Sequence, residues 1–421
     1  MTDKLKKPEL LAPAGDMERL MAAVRYGADA VYLGGTTFGM RAAPANFSGE
    51  ELKFAVDYCH ERGVKVYLTC NVLPRNSELS LLPSFLDDAK NAGVDAFIVS
   101  DMGVLEYVKE YAPDVEIHIS TQTNITNSEA VKFWKDMGAS RVILARELSF
   151  KQIEKIRKNV PDIEIEMFVH GAQCMSYSGR CLLSDYMTGY ERKANQGGCA
   201  QPCRWSYKLL EETRPNEYFE IVQDDKGSHI LSTKDLCLVK YLKDLVNIGV
   251  DSFKIEGRTK SLYYVSATAK AYRQVLDGKI SSEDGFVELL KVGNRGYTTG
   301  FFLGHNDETT YSYDISKGLA GADFLGIVEE KDEDKYKTLF KNKVFVDDVV
   351  QIITPNFSTN AKVIEIINPK REDNSLANTN DEPFVRFEAE NSDWEKEWDK
   401  ALIRTIGIKN HNEVKEVKIC E

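Results

Sequence analysis

The sequence predicts an α/β protein: a (β/α)8 TIM-like barrel with a cysteine-rich insertion between strands 7 and 8, followed by a small C-terminal all-β domain. Three observations lead to this prediction. One helix-to-strand phrase recurs between residues 8 and 258, a segment rich in cysteine interrupts that rhythm, and short β-patterned runs replace it from residue 317 onward. We expect the barrel domain to span 1–305, with the insertion at 171–250, and the all-β domain to span 306–421.

The recurring phrase consists of a helical pattern, a glycine and a short apolar run. In each copy the glycine stands where a helix would end in the left-handed backbone conformation, which costs least for a residue without Cβ. The apolar run after it suits a strand that is buried on both faces. The copies lie at 26–34, 62–69, 92–100, 137–145 and 248–256.

Eight strands are predicted, with helical patterns between them. Alternating β and α units imply a parallel sheet, and eight units favour closure into a barrel. An open doubly wound sheet is the alternative, because periodicity in a sequence cannot show that a sheet closes. The predicted strands are 8–11, 30–33, 65–69, 96–100, 116–119, 141–145, 164–168 and 252–255.

Polar side chains follow the predicted strands, where the loops of a barrel build its active site. Any one of them is more often a cap or a loop hydrogen bond than a functional group, but all of them share one predicted rim. Arginine and lysine at such a rim suit an anionic ligand that carries carboxylates. The candidate ligand-binding residues are Arg41, Arg146, His170, Lys254, Glu256 and Arg258.

The insertion at 171–250 is far longer than the 2–6 residues usual for a loop of this kind, so we expect it to be functional. Five of the eight cysteines lie between Cys174 and Cys237. Gathered thiols in a chain without a secretion signal are more often metal ligands or redox groups than disulfides. Their spacings match neither a zinc knuckle nor a ferredoxin run, and leave an iron–sulfur cluster, zinc and ordinary buried or redox thiols open.

The insertion also predicts local structure. The runs 206–211, 218–223 and 229–231 have the pattern of an antiparallel meander with a turn at 224–227. The segment Ser232-Thr-Lys-Asp235 resembles a capping box, so we expect a helix with Cys237 in its first turn. A helix N-terminus would lower the pKa of that thiol and favour the thiolate that a metal needs.

The pattern changes in the last hundred residues. Short β-patterned runs are separated by polar turns such as 370–382, which predicts a small sandwich or barrel. Trp394 and Trp398 are four residues apart and could share a helix face that packs in the core. The β-patterned runs lie at 344–346, 349–353, 361–367 and 384–388.

Composition restricts the function. Lys and Arg number 54 against 66 Asp and Glu, a net charge of −12, which weighs against a surface that is covered in nucleic acid but not against a local basic patch. No apolar run approaches the ~18 residues of a membrane span, and the N-terminus lacks the apolar run of a signal peptide, so we expect a cytoplasmic protein without a membrane partner. Zinc-protease, nucleophile-elbow and phosphate-loop motifs are missing.

The segment from Glu166 to Ser184 closely resembles the signature of the collagenase-like peptidase family. The resemblance extends from 8–15 through 39–42 and 254–258 to 294–297, which is most of the chain. The segment Asn195-Gln-Gly-Gly-Cys-Ala-Gln-Pro-Cys-Arg-Trp205 is similar to members of that family that hydroxylate tRNA. The signature residues are Glu166, Phe168, Gly171, Cys174, Gly179, Cys181 and Ser184.

This resemblance implies oxygen insertion at carbon 5 of the wobble uridine of tRNA, giving 5-hydroxyuridine, with prephenate required. It also implies a [4Fe-4S] cluster whose ligands would be Cys174, Cys181, Cys199 and Cys237. Cys203 is a fifth candidate, because some relatives use both members of the Cys199 and Cys203 pair.

The implied partners are tRNA and a small dicarboxylate such as prephenate. Because the chain is acidic, the tRNA contact would need a patch on the insertion or the β domain, or a partner subunit. The older family label leaves a collagenase-like peptidase of unknown catalytic type as the alternative and transfers no catalytic residue. A non-enzymatic assembly factor with a structural cluster is a further alternative.

Overall fold

The computed structural model describes residues 7–39, 47–177, 180–189, 191–194, 198–205, 223–224, 227–228, 233–304, 310, 319–368 and 374–407. The chain divides into two compact units. The first consists of Met1–Phe286 and Asn294–Gly318, and the second of Val287–Gly293 and Leu319–Glu421.

Seven parallel strands begin the first unit, each paired with the next. Apart from a residue at some strand starts, their side chains are buried, as expected of strands that are covered on both faces. The strands are β1 Glu9–Pro13, β2 Ala30–Gly34, β3 Lys65–Cys70, β4 Ala96–Val99, β5 Glu116–Ile119, β6 Arg141–Ile143 and β7 Glu164–Ala172.

Helices lie between these strands. The side chain of Asp16 accepts the backbone N–H of Arg19 at the start of α1, and that of Asn127 accepts the N–H of Ala130 at the start of α6, so local capping fixes where the helices begin. The helices are α1 Met17–Arg25, α2 Gly49–His60, α3 Asn76–Leu79, α4 Leu82–Ala92, α5 Met102–Tyr111, α6 Ser128–Asp136 and α7 Phe150–Asn159.

The glycines of the recurring phrase adopt the backbone conformation that the sequence predicts. All have φ between 70° and 101°, where a side chain is strained. The joint between helix and strand is therefore the predicted one at every copy. These glycines are Gly27, Gly63, Gly93, Gly138 and Gly249.

The insertion after β7 contains α8 Leu183–Met187, β8 Gln223–Asp224, β9 Gly227–Ser228 and β10 Asp235–Cys237. Strands β8 and β9 pair antiparallel, which confirms the turn predicted at 224–227. The rest of the predicted meander lies outside the described residues.

The helix predicted to begin near Ser232 is wrong. Cys237 lies instead in β10, which runs antiparallel to the last residues of β7, with Cys237 opposite His170. Strand β7 continues past the barrel to Ala172, and its backbone groups there pair with this segment. Pairing with a strand that is distant in the sequence therefore decides the structure of this segment, although its local capping pattern favours a helix.

The remaining elements of the first unit are α9 Leu242–Asn247, β11 Ser252–Ile255, α10 Leu262–Leu276, α11 Ser282–Leu290 and β12 Tyr297–Thr298. The last residues of α11, from Val287 on, belong to the second unit. Strand β11 pairs in parallel with both β1 and β7. The eight parallel strands therefore form a closed barrel, as predicted, and the open-sheet alternative is wrong. Strand β12 pairs with β10.

The second unit is an antiparallel β structure in which six strands close into a barrel, in the order β13-β14-β19-β17-β16-β20. Trp394 lies in a 3-10 helix, Ser392–Glu397, is 1% exposed and packs against Tyr336, as the prediction of core packing requires. The strands are β13 Phe324–Asp332, β14 Lys335–Phe340, β15 Val344–Phe345, β16 Val349–Ile353, β17 Ser358–Ile367, β18 Leu376–Ala377, β19 Phe384–Ala389 and β20 Leu402–Thr405.

Across both units, the helices that the structure describes are all too short or too polar to cross a membrane.

Candidate active site at the barrel opening

Ion pairs occupy the barrel interior. The guanidinium of Arg141, at the start of β6, donates to Glu9 at 2.6 Å and to Glu166 at 3.0 Å. Lys254 donates to the other oxygen of Glu166 at 2.7 Å. Burial raises the pKa of Glu166, but the charges of Lys254 and Arg141 outweigh it, so that its pKa lies below the usual value. Lys254, predicted at the rim, thus lies inside the barrel with a carboxylate partner.

Arg146 lies beyond the end of β6. Its guanidinium is 3.9 Å from the centre of the Phe168 ring and donates to the carbonyl of Ala172 at 2.6 Å. The carboxylate of Glu256 is 3.9 Å away. Arg146 and Glu256, both predicted from the sequence, are therefore brought together.

Arg258 is held at the ends of β2 and β3. It donates to the hydroxyl of Thr69 at 3.3 Å, and a Cβ on Gly34 would stand 2.1 Å from its guanidinium. Arg258 therefore contacts the ends of β2 and β3, whereas Arg146 contacts β7 and the segment after β11. Arg41 lies outside the described residues.

His170 is buried rather than exposed at the rim. Its ring lies 5.3–5.8 Å from the rings of Tyr264, Tyr272 and Tyr297, and it is 1% exposed. Burial lowers the pKa of His170 to about 3, so the ring is neutral at neutral pH.

Cys237 is buried beside His170. Its sulfur is 3.9 Å from the hydroxyl of Tyr272, and burial raises the pKa of the thiol to about 12. The thiolate expected at a helix N-terminus is therefore disfavoured here, which corrects the sequence-based expectation for this residue.

Four further cysteines follow the end of β7: Cys174, Cys181, Cys199 and Cys203, all of them free thiols that are exposed or half-buried. Backbone N–H groups point at two of the sulfurs, from Leu183 to Cys181 at 3.4 Å and from Gln201 to Cys199 at 3.3 Å.

Ser184 holds the segments that carry these two cysteines together. Its hydroxyl donates to the carbonyl of Arg192 at 2.7 Å and accepts the N–H of Ala200 at 2.9 Å. Ser184 is completely buried, so these contacts form the centre of the local structure.

Soft thiol donors with N–H groups directed at sulfur fit the chemistry of an iron–sulfur cluster. Within the part of the chain that the structure describes, however, no three His, Cys, Asp or Glu side chains lie close enough to hold a metal ion. The predicted ligand set is therefore not gathered in one place, and its assignment stays a prediction.

A cavity of about 100 Å³ opens beside Cys174. Glu147 and Gln173 contribute to it. Glu147 was among the polar residues of the predicted rim but not among the candidate ligand-binding residues. Gln173 was missed, and its only signal in the sequence was its position next to Cys174. Burial raises the pKa of Glu147. The cavity is lined by Arg146, Glu147, Gln173, Cys174, Met175, Ser176, Tyr177, Thr233 and Phe301.

Residues 15–312 match the model of a protein family described as Peptidase family U32. The chain belongs to this family. A tRNA hydroxylation protein P1 of Bacillus subtilis (strain 168) is 39% identical over 382 residues, which are 86% of this chain and 87% of that protein. A tRNA hydroxylation protein P of Haemophilus influenzae (strain ATCC 51907 / DSM 11121 / KW20 / Rd) is 37% identical over 415 residues, 87% of this chain and 90% of that protein. A collagenase of Porphyromonas gingivalis (strain ATCC BAA-308 / W83) is 35% identical over 349 residues, 76% of this chain and 82% of that protein.

The residues by which the U32 resemblance was recognised have structural roles here. Glu166 neutralises the two interior cations, and Phe168 supports the guanidinium of Arg146. Gly171 has φ of 103°, and a Cβ there would stand 2.4 Å from the carbonyl oxygen of Glu256. The strand that carries the signature thus fixes both the barrel interior and the direction in which the chain leaves towards Cys174.

Proposed function

We propose that this U32 protein hydroxylates tRNA, inserting oxygen at carbon 5 of the wobble uridine to give 5-hydroxyuridine. Relatives that bear the name of a tRNA hydroxylation protein align with it over nearly their whole length, and their activity supports the proposal. The structural observation that carries it is the thiol-bearing segment that begins at the opening of the barrel, where Cys174 lines a cavity with Arg146.

The proposed cofactor is a [4Fe-4S] cluster bound by Cys174, Cys181, Cys199 and Cys237, with Cys203 as the alternative to Cys199 for the third ligand. When bound, such a cluster would supply one-electron redox chemistry. Cys203 lies four residues after Cys199, in the 3-10 helix Pro202–Arg204. The contacts of Ser184 would keep the segments of Cys181 and Cys199 close to one another.

The proposed co-substrate is prephenate, bound by its carboxylates at the barrel opening. Arg146 and Arg258 both follow barrel strands and are mostly buried, so that their charges are only weakly screened by water. Phe168, whose ring lies 3.9 Å from the guanidinium of Arg146, offers an apolar surface beside that charge. The interior ion pairs of Glu166 would keep this layer rigid.

The proposed tRNA contact is on the insertion. Several lysines and arginines among the described residues of the second unit are engaged with acids, for example Lys362 with Asp347 at 2.7 Å and Arg386 with Glu365 at 3.1 Å. The insertion instead exposes the rings of Tyr177, Tyr186 and Trp205. Exposed aromatic rings stack on unpaired bases of RNA loops.

The test compares the intact chain with two cysteine variants in a strain that lacks the tRNA modification. Protein purified without air should contain iron and sulfide, and its expression should restore 5-hydroxyuridine to wobble nucleosides measured by mass spectrometry. Cys181→Ser should lose both iron and the modified nucleoside. Cys59→Ala, which alters a buried thiol of α2, should retain both. Wild-type protein without iron, or tRNA without 5-hydroxyuridine, would refute the proposal.

The collagenase relative favours one alternative, a peptidase. His170 and Cys237 lie opposite one another on paired strands, the placement that a base and a nucleophile need. Both are buried, however, and the raised pKa of the thiol disfavours a thiolate. A peptidase would cleave denatured collagen after iron had been removed, which we do not expect of this chain.

A further inference from the structure

The cavity beside Cys174 contains a buried amide that lacks a partner. Gln173 is 7% exposed, and its Nε2 has no hydrogen-bond partner among the residues that the structure describes. Buried polar atoms nearly always have a partner, so such an atom at the wall of a cavity points to a ligand. Gly300 leaves room for this amide, because a Cβ there would stand 2.8 Å from Oε1 of Gln173.

The charges around the cavity do not select a strong anion. Among the described residues that line it, Arg146 is the one cation, Glu147 lines the same cavity, and Glu256 lies 3.9 Å from the guanidinium of Arg146. Arg258, the second arginine proposed for the carboxylates of prephenate, is not part of this lining, so the cavity itself has no excess of positive charge for a phosphate. A neutral ligand that makes hydrogen bonds suits these groups better.

The size and walls of the cavity indicate a flat ring. An engineered protein cavity of about 150 Å³ holds one benzene, so a cavity of about 100 Å³ that is open at one side is on the scale of one six-membered ring. The rings of Phe301 and Tyr177 are among its walls, and aromatic rings stack well on a planar heterocycle.

We propose that this cavity binds the pyrimidine base on which the protein acts, and that the side-chain amide of Gln173 hydrogen-bonds the edge of that base. The inference rests on the proposed function and deepens it. An amide presents a donor and an acceptor side by side, which match the adjacent carbonyl oxygen and N–H of uracil. A base in this position lies beside Cys174, one of the proposed cluster ligands.

The inference is tested by photo-cross-linking, which needs no hydroxylation. An anticodon stem–loop with 4-thiouridine at the wobble position is irradiated with the full-length chain, and the cross-linked peptides are identified by mass spectrometry. We expect cross-links within 173–177 or at Phe301. Gln173→Glu, which replaces the donor by a charged acceptor at nearly constant volume, should lower the yield at least tenfold.

Gln152→Glu is the matched control. It makes the same chemical change at the start of α7, where Gln152 accepts the backbone N–H of Ser149 and where glutamate serves equally well. Its cross-link yield should equal that of the wild type, and thermal unfolding should show that both variants are folded. Cross-links elsewhere, no cross-link at all, or an unchanged yield in Gln173→Glu would overturn the inference.

The two proposals fail separately. If the wild-type chain restores 5-hydroxyuridine but its cross-links map outside the cavity, the base site is wrong and the activity stands. If cross-links map to the cavity but no 5-hydroxyuridine is formed, the base site stands and the proposed reaction is wrong.

Discussion

The buried carboxylate of Glu166 shows how single residues set the stability of this barrel. It accepts one hydrogen bond from Arg141 and one from Lys254. Its removal would leave the buried ammonium of Lys254 without this carboxylate, whereas Arg141 would keep Glu9 and Glu164. Breaking a buried ion pair from one side typically costs about 3–5 kcal/mol. We expect Glu166→Gln to lower the free energy of unfolding by about that amount at pH 7, measured in urea.

The same residue predicts a pH dependence. The pKa of Glu166 in the folded protein is below the ordinary glutamate value of 4.5, because Lys254 and Arg141 stabilise the carboxylate, so its contribution is complete above that value and is lost as the pH falls through the folded pKa. Wild-type stability should therefore fall with acidification below 4.5, and the fall should be smaller in Glu166→Gln. Glu61→Gln, at an exposed carboxylate, is the control. An equal acid dependence in wild type and Glu166→Gln would contradict this assignment.

The cysteines and Gln173 mark the limit of prediction at the scale of residues. The gathered thiols were visible because cysteine is rare and its clustering is itself a signal. Gln173 was not, because a single polar residue carries no periodicity and its lack of a partner is a property of the folded surroundings. The burial of His170 was missed for a related reason. The strands β10 and β12, which cover it, are distant from it in the sequence and come close only in the folded chain.

At the scale of elements, the loops after β1 and β11 meet so closely that a side chain cannot be accommodated. A Cβ on Gly15 would stand 2.0 Å from the backbone carbonyl oxygen of Arg258, which cannot rotate away as a side chain could. Overpacking of this kind typically costs about 1–3 kcal/mol. We expect Gly15→Ala to destabilise the protein by at least that amount, measured by urea unfolding.

Gly49→Ala is the control for that substitution. It lies in the first turn of α2 with nothing within 4 Å of a Cβ, so alanine should be neutral or slightly stabilising there. Equal stabilities of the two variants would show that the loops can separate without cost, and that Arg258 is not fixed by this contact.

The sequence predicted elements well where one local pattern decided their form. The glycine before a buried strand marked five of the eight barrel strands, because backbone conformation and burial acted within the same ten residues. The prediction from local pattern failed at 232–237. The capping pattern there predicted a helix, but 235–237 form a strand because they pair with the extended end of β7. In the second unit, β13 and β14 were missed. The buried residues of β14 alternate with half-buried ones, mostly lysine, and β13 has a buried run of four residues followed by a charged one.

At the scale of the whole molecule, the question is which surface meets tRNA in a chain with a net charge of −12. Contacts to phosphates by lysine and arginine make binding depend on salt, whereas stacking on a base does not. On the insertion, Arg180 is exposed and Tyr186 is 72% exposed, so both kinds of contact are available there. The engaged cations of the second unit are less suited to phosphate.

We therefore expect Tyr186→Ala to weaken binding of an anticodon stem–loop by about 1–3 kcal/mol at both low and high salt, as the loss of one stacked base should. Arg180→Ala should weaken it mainly at low salt. Fluorescence anisotropy at two salt concentrations measures both effects. Phe54→Ala removes an exposed ring from α2 and should bind as the wild type does. Lys362, which pairs with Asp347 in the second unit, should be dispensable for binding. If Lys362→Ala weakens binding while both insertion variants bind as the wild type does, the tRNA is held by the second unit and not by the insertion.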